Sequence, residues 1–123
     1  QLRSLLAAKG YAASRDSADG TKVLDLTGSL TLVETAQVIA ASSLAMGVDS
    51  MAMHLAAMLG KPEIVLFGPT NPYHWRPRHE NAIVLAAGHP GAMAEYLPKA
   101  KGAPMELISE EQVINAVDRV LLS

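Results

Sequence analysis

One feature constrains the fold of this chain more than any other: residues 43–48 form a short, continuously apolar run that passes without a linker into Asp49-Ser50 and a helical pattern. Apolar runs that do not alternate belong to strands covered on both faces, and such strands occupy parallel sheets. Residues 63–67 (Glu-Ile-Val-Leu-Phe) and 82–86 (Ala-Ile-Val-Leu-Ala) repeat the theme, and residues 23–26 (Val-Leu-Asp-Leu) give a shorter version. Helical patterns lie between and after them, at 32–41, 51–59 and 110–122. Strands alternating with helices of about ten residues mean βαβ units, whose right-handed crossovers put helices on both faces of the sheet. The predicted fold class is therefore α/β, a Rossmann-like parallel sheet.

Local signals punctuate these elements. Thr31 or Ser29 can cap the helix at 32–41, which has Glu34 in its first turn. Its Leu32, Ala36 and Ile39, with Val33 and Ala40, have the spacing of a buried face. Gly60 and Pro62 stop the helix at 51–59. Ser109-Glu110-Glu111-Gln112 is a capping box. The polar stretch at 14–22 reads as a surface loop, and 88–104 as a loop with a helical turn near 92–96. The chain opens inside a helical pattern at 1–9, closed by Gly10, with no initiating methionine, and is read as a fragment.

Composition narrows the function classes. With 123 residues, half of them hydrophobic, the chain has the material for one domain with a buried core. A net charge of −2 and scattered Lys and Arg give no footprint for nucleic acid. No cysteine is present, so disulfides and thiolate metal sites do not arise. No run reaches the ~18 apolar residues needed to span a bilayer. Histidines and carboxylates do not share an element at metal-ligand spacing, and no metal site is expected.

In open parallel sheets, ligands bind beyond the carboxyl ends of the strands. Three segments fall there: Thr27 to Leu30, Val48 to His54, and Gly68 to Arg78. After the run at 43–48, the first amides of the next helix lack intrahelical partners and point outward at the positive end of the helix dipole, a ready phosphate site. Ser50 can add a hydroxyl there, and Asp49 suits capping or gripping a sugar hydroxyl. The bland alternative is that Asp49 and Ser50 only cap a buried helix. His54 lies one turn on, along the stripe of Met51, Leu55 and Met58; its ordinary reading is a packed core histidine, and the methionines read as soft core packing. In the third segment, prolines at 69, 72 and 77 stiffen a loop whose Thr70, Trp75, Arg76 and Arg78 can meet a phosphate or a sugar. The alternative is a rigid cover with Trp75 plugging the edge of the core.

Taken together and in order, Asp49-Ser50-Met51-Ala52-Met53-His54, Gly60-Lys61-Pro62, Gly68-Pro69-Thr70 and Trp75-Arg76-Pro77 resemble the signature of glycosyltransferase family nine, the ADP-heptose:lipopolysaccharide heptosyltransferases. Asp25-Leu26-Thr27-Gly28-Ser29-Leu30 resembles another segment of that family, and the likeness covers roughly residues 23–86. It implies the C-terminal, nucleotide-sugar-binding half of a GT-B enzyme. Heptose would pass from ADP-heptose to a lipopolysaccharide inner-core acceptor, with inversion and with no obligatory cofactor or metal. By matching positions, Asp49, Ser50, Met51 and His54 would contact the diphosphate and sugar. Thr27, Gly28 and Leu30 would border the adenosine, and Gly68, Pro69 and Thr70 would close the site. The catalytic base and the lipid-linked saccharide acceptor site would belong to an N-terminal domain, so this fragment would bind donor without turning over. The enzyme would be cytoplasmic or peripheral at the inner face of the inner membrane. Met51 departs from the family, which has glycine there, and residues 88–104 lack the cysteines often found in the family. The rival readings are a GT-B transferase for a UDP- or GDP-sugar, and a non-catalytic Rossmann-like module.

Overall fold

The computed structural model describes residues 15–16, 22–88 and 97–123. The helix expected at 1–9 and the turn expected at 92–96 lie outside the described residues. The chain divides into two compact units, Gln1–Ala41 and Ser42–Ser123.

In the first unit, β1 (Arg15–Asp16) and β2 (Lys22–Val23) pair antiparallel, with Arg15 opposite Val23 and Asp16 opposite Lys22. Two expectations are corrected here. Arg15, Asp16 and Lys22, in the stretch read as a loop, are paired strand residues, and of the strand expected at 23–26 only Val23 is in the ladder. The reason is local. Asp25 Oδ1 accepts from the Thr27 amide at 3.0 Å, and the Leu26 carbonyl accepts from the Ser29 amide at 3.1 Å. These bonds turn the backbone away from a ladder, and Gly28, at φ +67°, takes the left-handed conformation the turn requires.

Helix α1 (Leu32–Ala41) begins where expected, at a capping box. Thr31 Oγ1 accepts from the Glu34 amide at 3.2 Å, and Glu34 Oε1 accepts from the Thr31 amide at 3.0 Å. Its apolar face is less covered than its spacing suggests: no residue is fully buried, and Leu32 and Val33 are exposed. Periodicity marks a face that can be buried; it does not supply the surface that covers it.

The second unit is built on a parallel sheet in the order β3 (Ala45–Val48), β4 (Glu63–Phe67), β5 (Ala82–Ala86). Pairing runs without slip, from Ala45 opposite Glu63 and Ala82 opposite Glu63 to Phe67 opposite Ala86. Central β4 is the core, with Ile64, Val65 and Phe67 at 1% exposure or less. Helix α2 (Met51–Met58) returns the chain from β3 to β4. It packs on the Ala45/Gly47 side of β3, where a Cβ on Gly47 would lie 3.3 Å from the end of buried Met53. The other side of β3 carries exposed Met46 and Val48. Gly60, at φ +66°, ends α2 in a Schellman motif, in which the Gly60 amide donates to Ala57 and the Lys61 amide to Ala56. A short helix α3 (Pro72–Trp75) follows β4, and α4 (Glu110–Leu121) closes the chain. The expected capping box is present: Ser109 Oγ accepts from the Gln112 amide at 3.2 Å, and Gln112 Oε1 from the Ser109 amide at 2.8 Å.

Candidate functional site

Because β3, β4 and β5 are parallel and in register, Asp49 and the loop starting at Gly68 leave the sheet at the same, carboxyl end. The structure thus brings together Asp49, Ser50, Met51 and His54 on one side with Gly68, Pro69 and Thr70 on the other. Ser50 is the N-cap of α2 by backbone geometry, with φ −157° and ψ 166°, but its side chain makes no capping hydrogen bond. Its carbonyl accepts from the Met53 and His54 amides. The amides of Met51 and Ala52 have no partner among the described residues, so the helix start presents donors with the dipole behind them.

His54 is not a core histidine. Its side chain is 48% exposed, and Nε2 lies 3.7 Å from Asp49 Oδ1, whose own side chain is 18% exposed. The contact joins the residue before the N-cap to the first turn of α2, and it leaves the ring open to a ligand. Met51 sits at the first helical position with its side chain largely exposed.

The loop after β4 is held from beyond β5. The Gly68 carbonyl accepts from the Ala103 amide at 3.0 Å, and Gly68 lies against Met105, whose Cε would be 3.1 Å from an added Cβ. Asn71 caps α3 by accepting from the Tyr73 amide at 3.0 Å, and its Nδ2 donates to the Leu97 carbonyl at 2.9 Å. His74 Nε2 lies 3.1 Å from the Pro98 carbonyl, which can only accept, so that nitrogen carries the proton. Pro69 and Thr70 stay exposed at the edge.

Arg78 of this loop is engaged elsewhere. Arg78 donates to the Tyr73 carbonyl at 2.8 Å, and the next residue, His79, has reached the amino end of the sheet, with Nε2 2.6 Å from Glu63 Oε1. Arg78 thus holds the crossover. Trp75 is 55% exposed and plugs nothing. Thr27, Gly28 and Leu30 belong to the first unit, where the Thr27–Ser29 turn is closed by Ser29 Oγ donating to the Thr27 carbonyl at 3.2 Å. Hydrogen bonds from the Thr27 hydroxyl and amide hold the Asp25 carboxyl below its ordinary range.

Sequence reasoning missed the residues that fasten the loop, Asn71, His74 and Gly102. Asn71 followed by Pro72 carried an N-cap signal, and Gly102 the permissiveness of a glycine, but neither pointed to its partner across the fold. Among the described residues no cluster of three His or acidic side chains could hold a metal.

A parallel sheet with free helix-start amides at its carboxyl edge defines a Rossmann-like α/β unit of the kind found in GT-B glycosyltransferases. The family follows from comparison: the model for glycosyltransferase family 9 (heptosyltransferase) matches residues 6–101, and the chain belongs to that family. It is 35% identical over 102 residues to lipopolysaccharide heptosyltransferase 3 of Escherichia coli, covering 82% of this chain and 30% of that protein. The same protein of strain K12 gives 35% over 101 residues. Lipopolysaccharide heptosyltransferase 1 of Salmonella typhimurium is 38% identical over 55 residues, 45% of this chain and 17% of that protein. The chain thus spans less than a third of the length of these relatives. No solved structure matches it.

Proposed function

We propose that this chain is the donor-binding part of a glycosyltransferase of lipopolysaccharide synthesis, which moves heptose from ADP-heptose to an inner-core acceptor. The observation that carries the reading is the uncapped start of α2: Ser50 Oγ, the Met51 and Ala52 amides and the Asp49–His54 pair, beside Gly68–Thr70. In an inverting transfer, an acceptor hydroxyl oxygen attacks the anomeric carbon and its proton goes to a base. The bond from that carbon to the β-phosphate oxygen breaks, and the nucleoside diphosphate departs with the electron pair. Charge grows on the diphosphate as it leaves, and fixed amides at a helix start stabilise it without reorganising. Ser50 adds a hydroxyl donor to a phosphate oxygen, and His54, oriented by Asp49, serves the phosphate or the sugar. The family likeness supports heptose as the sugar and adenosine as the nucleoside. The base and the acceptor site lie outside this segment in this reading, which therefore binds donor without turnover and without an obligatory metal. No described helix is long and apolar enough to cross a membrane; by the family likeness, the reading puts the enzyme in the cytoplasm, meeting its lipid-linked acceptor at the membrane face.

Thermal-shift screening of the intact protein against ADP-, UDP- and GDP-sugars tests this. A ligand at about a hundred times its Kd stabilises by about 2.7 kcal/mol, so an ADP-sugar should raise the midpoint by several degrees. A shift with a UDP- or GDP-sugar alone would reassign the donor. No shift with any would leave a Rossmann-like module without a donor.

A further inference from the structure

Residues 97–105 run back alongside the loop after β4, anchored at residues 97 and 98 to Asn71 and His74 and at Ala103 to Gly68. Between those anchors the backbones touch: a Cβ on Gly102 would overlap the Pro69 carbonyl. The strap is therefore fixed against the Gly-Pro-Thr loop, and Lys99 and Lys101, both exposed, stand in its tethered span beside Pro69 to Asn71. Neither has a carboxylate partner among the described residues. Among the other charges near this edge, the carboxylates are unfavourable to an anion. Asp49 is at the start of α2, Glu106 follows Met105, and the loop's Arg78 is committed to Tyr73 on the way to the other end of the sheet. A diphosphate leaving group carries two or more negative charges, and the helix-start amides offer only partial positive charge. The strap's two exposed lysines add formal positive charge to this edge.

We propose that residues 97–102 form one wall of the donor site, with Lys99 and Lys101 as its phosphate-binding cations and Gly102 as the residue that lets the wall close on the Gly68–Thr70 loop. The proposal rests on the donor-site reading above and adds to it residues that the family likeness leaves unassigned. Its test is calorimetric titration of ADP, UDP, GDP and adenosine into the intact protein, wild type and the double variant Lys99→Gln/Lys101→Gln. The double variant should bind the favoured diphosphate roughly tenfold more weakly, about 1.4 kcal/mol, with adenosine binding and the urea midpoint unchanged. The Lys99→Arg/Lys101→Arg pair should restore affinity, and the difference between wild type and the glutamine pair should shrink as salt rises. Equal diphosphate affinity in wild type and the glutamine pair overturns the strap assignment while the donor site stands. Failure of wild type to bind any of the three diphosphates overturns the donor site and the strap together.

Discussion

The two ends of the β3–β4–β5 sheet are made from the same three strands and treat polar groups in opposite ways. At the amino end, Glu63 is fully buried, with one carboxylate oxygen 2.6 Å from His79 Nε2 and the other without a hydrogen-bond partner among the described residues. At the carboxyl end, Ser50 Oγ makes no capping bond, the first amides of α2 have no partner among the described residues, and the His54 ring, beside Asp49, stays exposed. Burying a carboxylate is costly and is tolerated where a specific partner offsets it. Polar groups left open at the other end add little to stability and are what a ligand can use. The contrast separates structure from binding within one unit.

The largest effect should come from breaking the closed end. His79→Ala leaves the Glu63 carboxylate buried with no partner and should cost about 3 kcal/mol, read as a lower urea midpoint at unchanged slope. Glu63→Met, which removes the charge along with the need for a partner, should cost much less. If His79→Ala were neutral, the amino end would not be the structural end.

At the open end the signs reverse. Asp49→Ala and His54→Ala should each lower activity of the intact enzyme by ten- to a hundredfold, while stability changes by no more than about 0.5 kcal/mol at exposed His54 and by about 1 kcal/mol or less at half-buried Asp49. Loss of cooperative unfolding in both variants would make the pair structural and erase the contrast.

A smaller change sharpens the same end. Met51 adds no donor, so its exposed side chain can only crowd an approaching diphosphate or be neutral. Met51→Gly should tighten ADP binding by up to about tenfold, at a loss of helix propensity below ~1 kcal/mol. Calorimetric titration and unfolding on the same variant separate the two, and weaker binding would make the methionine part of the pocket.

The smallest effect lies in the first unit and concerns pH. Asp25 is held below the ordinary carboxylate range by the Thr27 hydroxyl and then the Thr27 amide. A depressed carboxyl contributes to the turn above the unfolded value and loses that contribution as pH falls through the folded one. NMR titration should place Asp25 below the ordinary range, and Thr27→Val should move it upward. An unmoved value would remove the hydroxyl from the turn.

What the sequence disclosed was set by the range of the interactions. Residues 32–41, 63–67 and 82–86 read correctly because their signals are local: a cap, a continuous apolar run, a flanking glycine. The capping box at Ser109 was legible for the same reason. The common placement of Asp49 and Gly68 also followed, since parallel strands joined by helices share a carboxyl edge. Contacts across the fold were not legible. Glu63 opens a strand, a position that ordinarily faces water, and nothing near it points to His79. The fate of Arg78 was equally hidden, because a loop's composition does not say which end of the sheet it reaches. Asp25 marks the opposite failure: the apolar residues around it suggested a strand, and its side chain captured the backbone into a turn.

The path from β4 to β5 has a consequence for how such a sequence can vary. It is fastened near its start by Asn71 and His74 and near its finish by His79 on Glu63, and the Glu63 amide then donates to the Asn81 carbonyl at 3.0 Å. Removing or adding one residue between 75 and 79 would either pull His79 off Glu63 or slip β5 by one position, which turns its inward side chains outward. The stretch therefore behaves as a spacer of fixed length. Exchanges at exposed positions such as Trp75 and Glu80 leave its span intact, whereas a single gap does not.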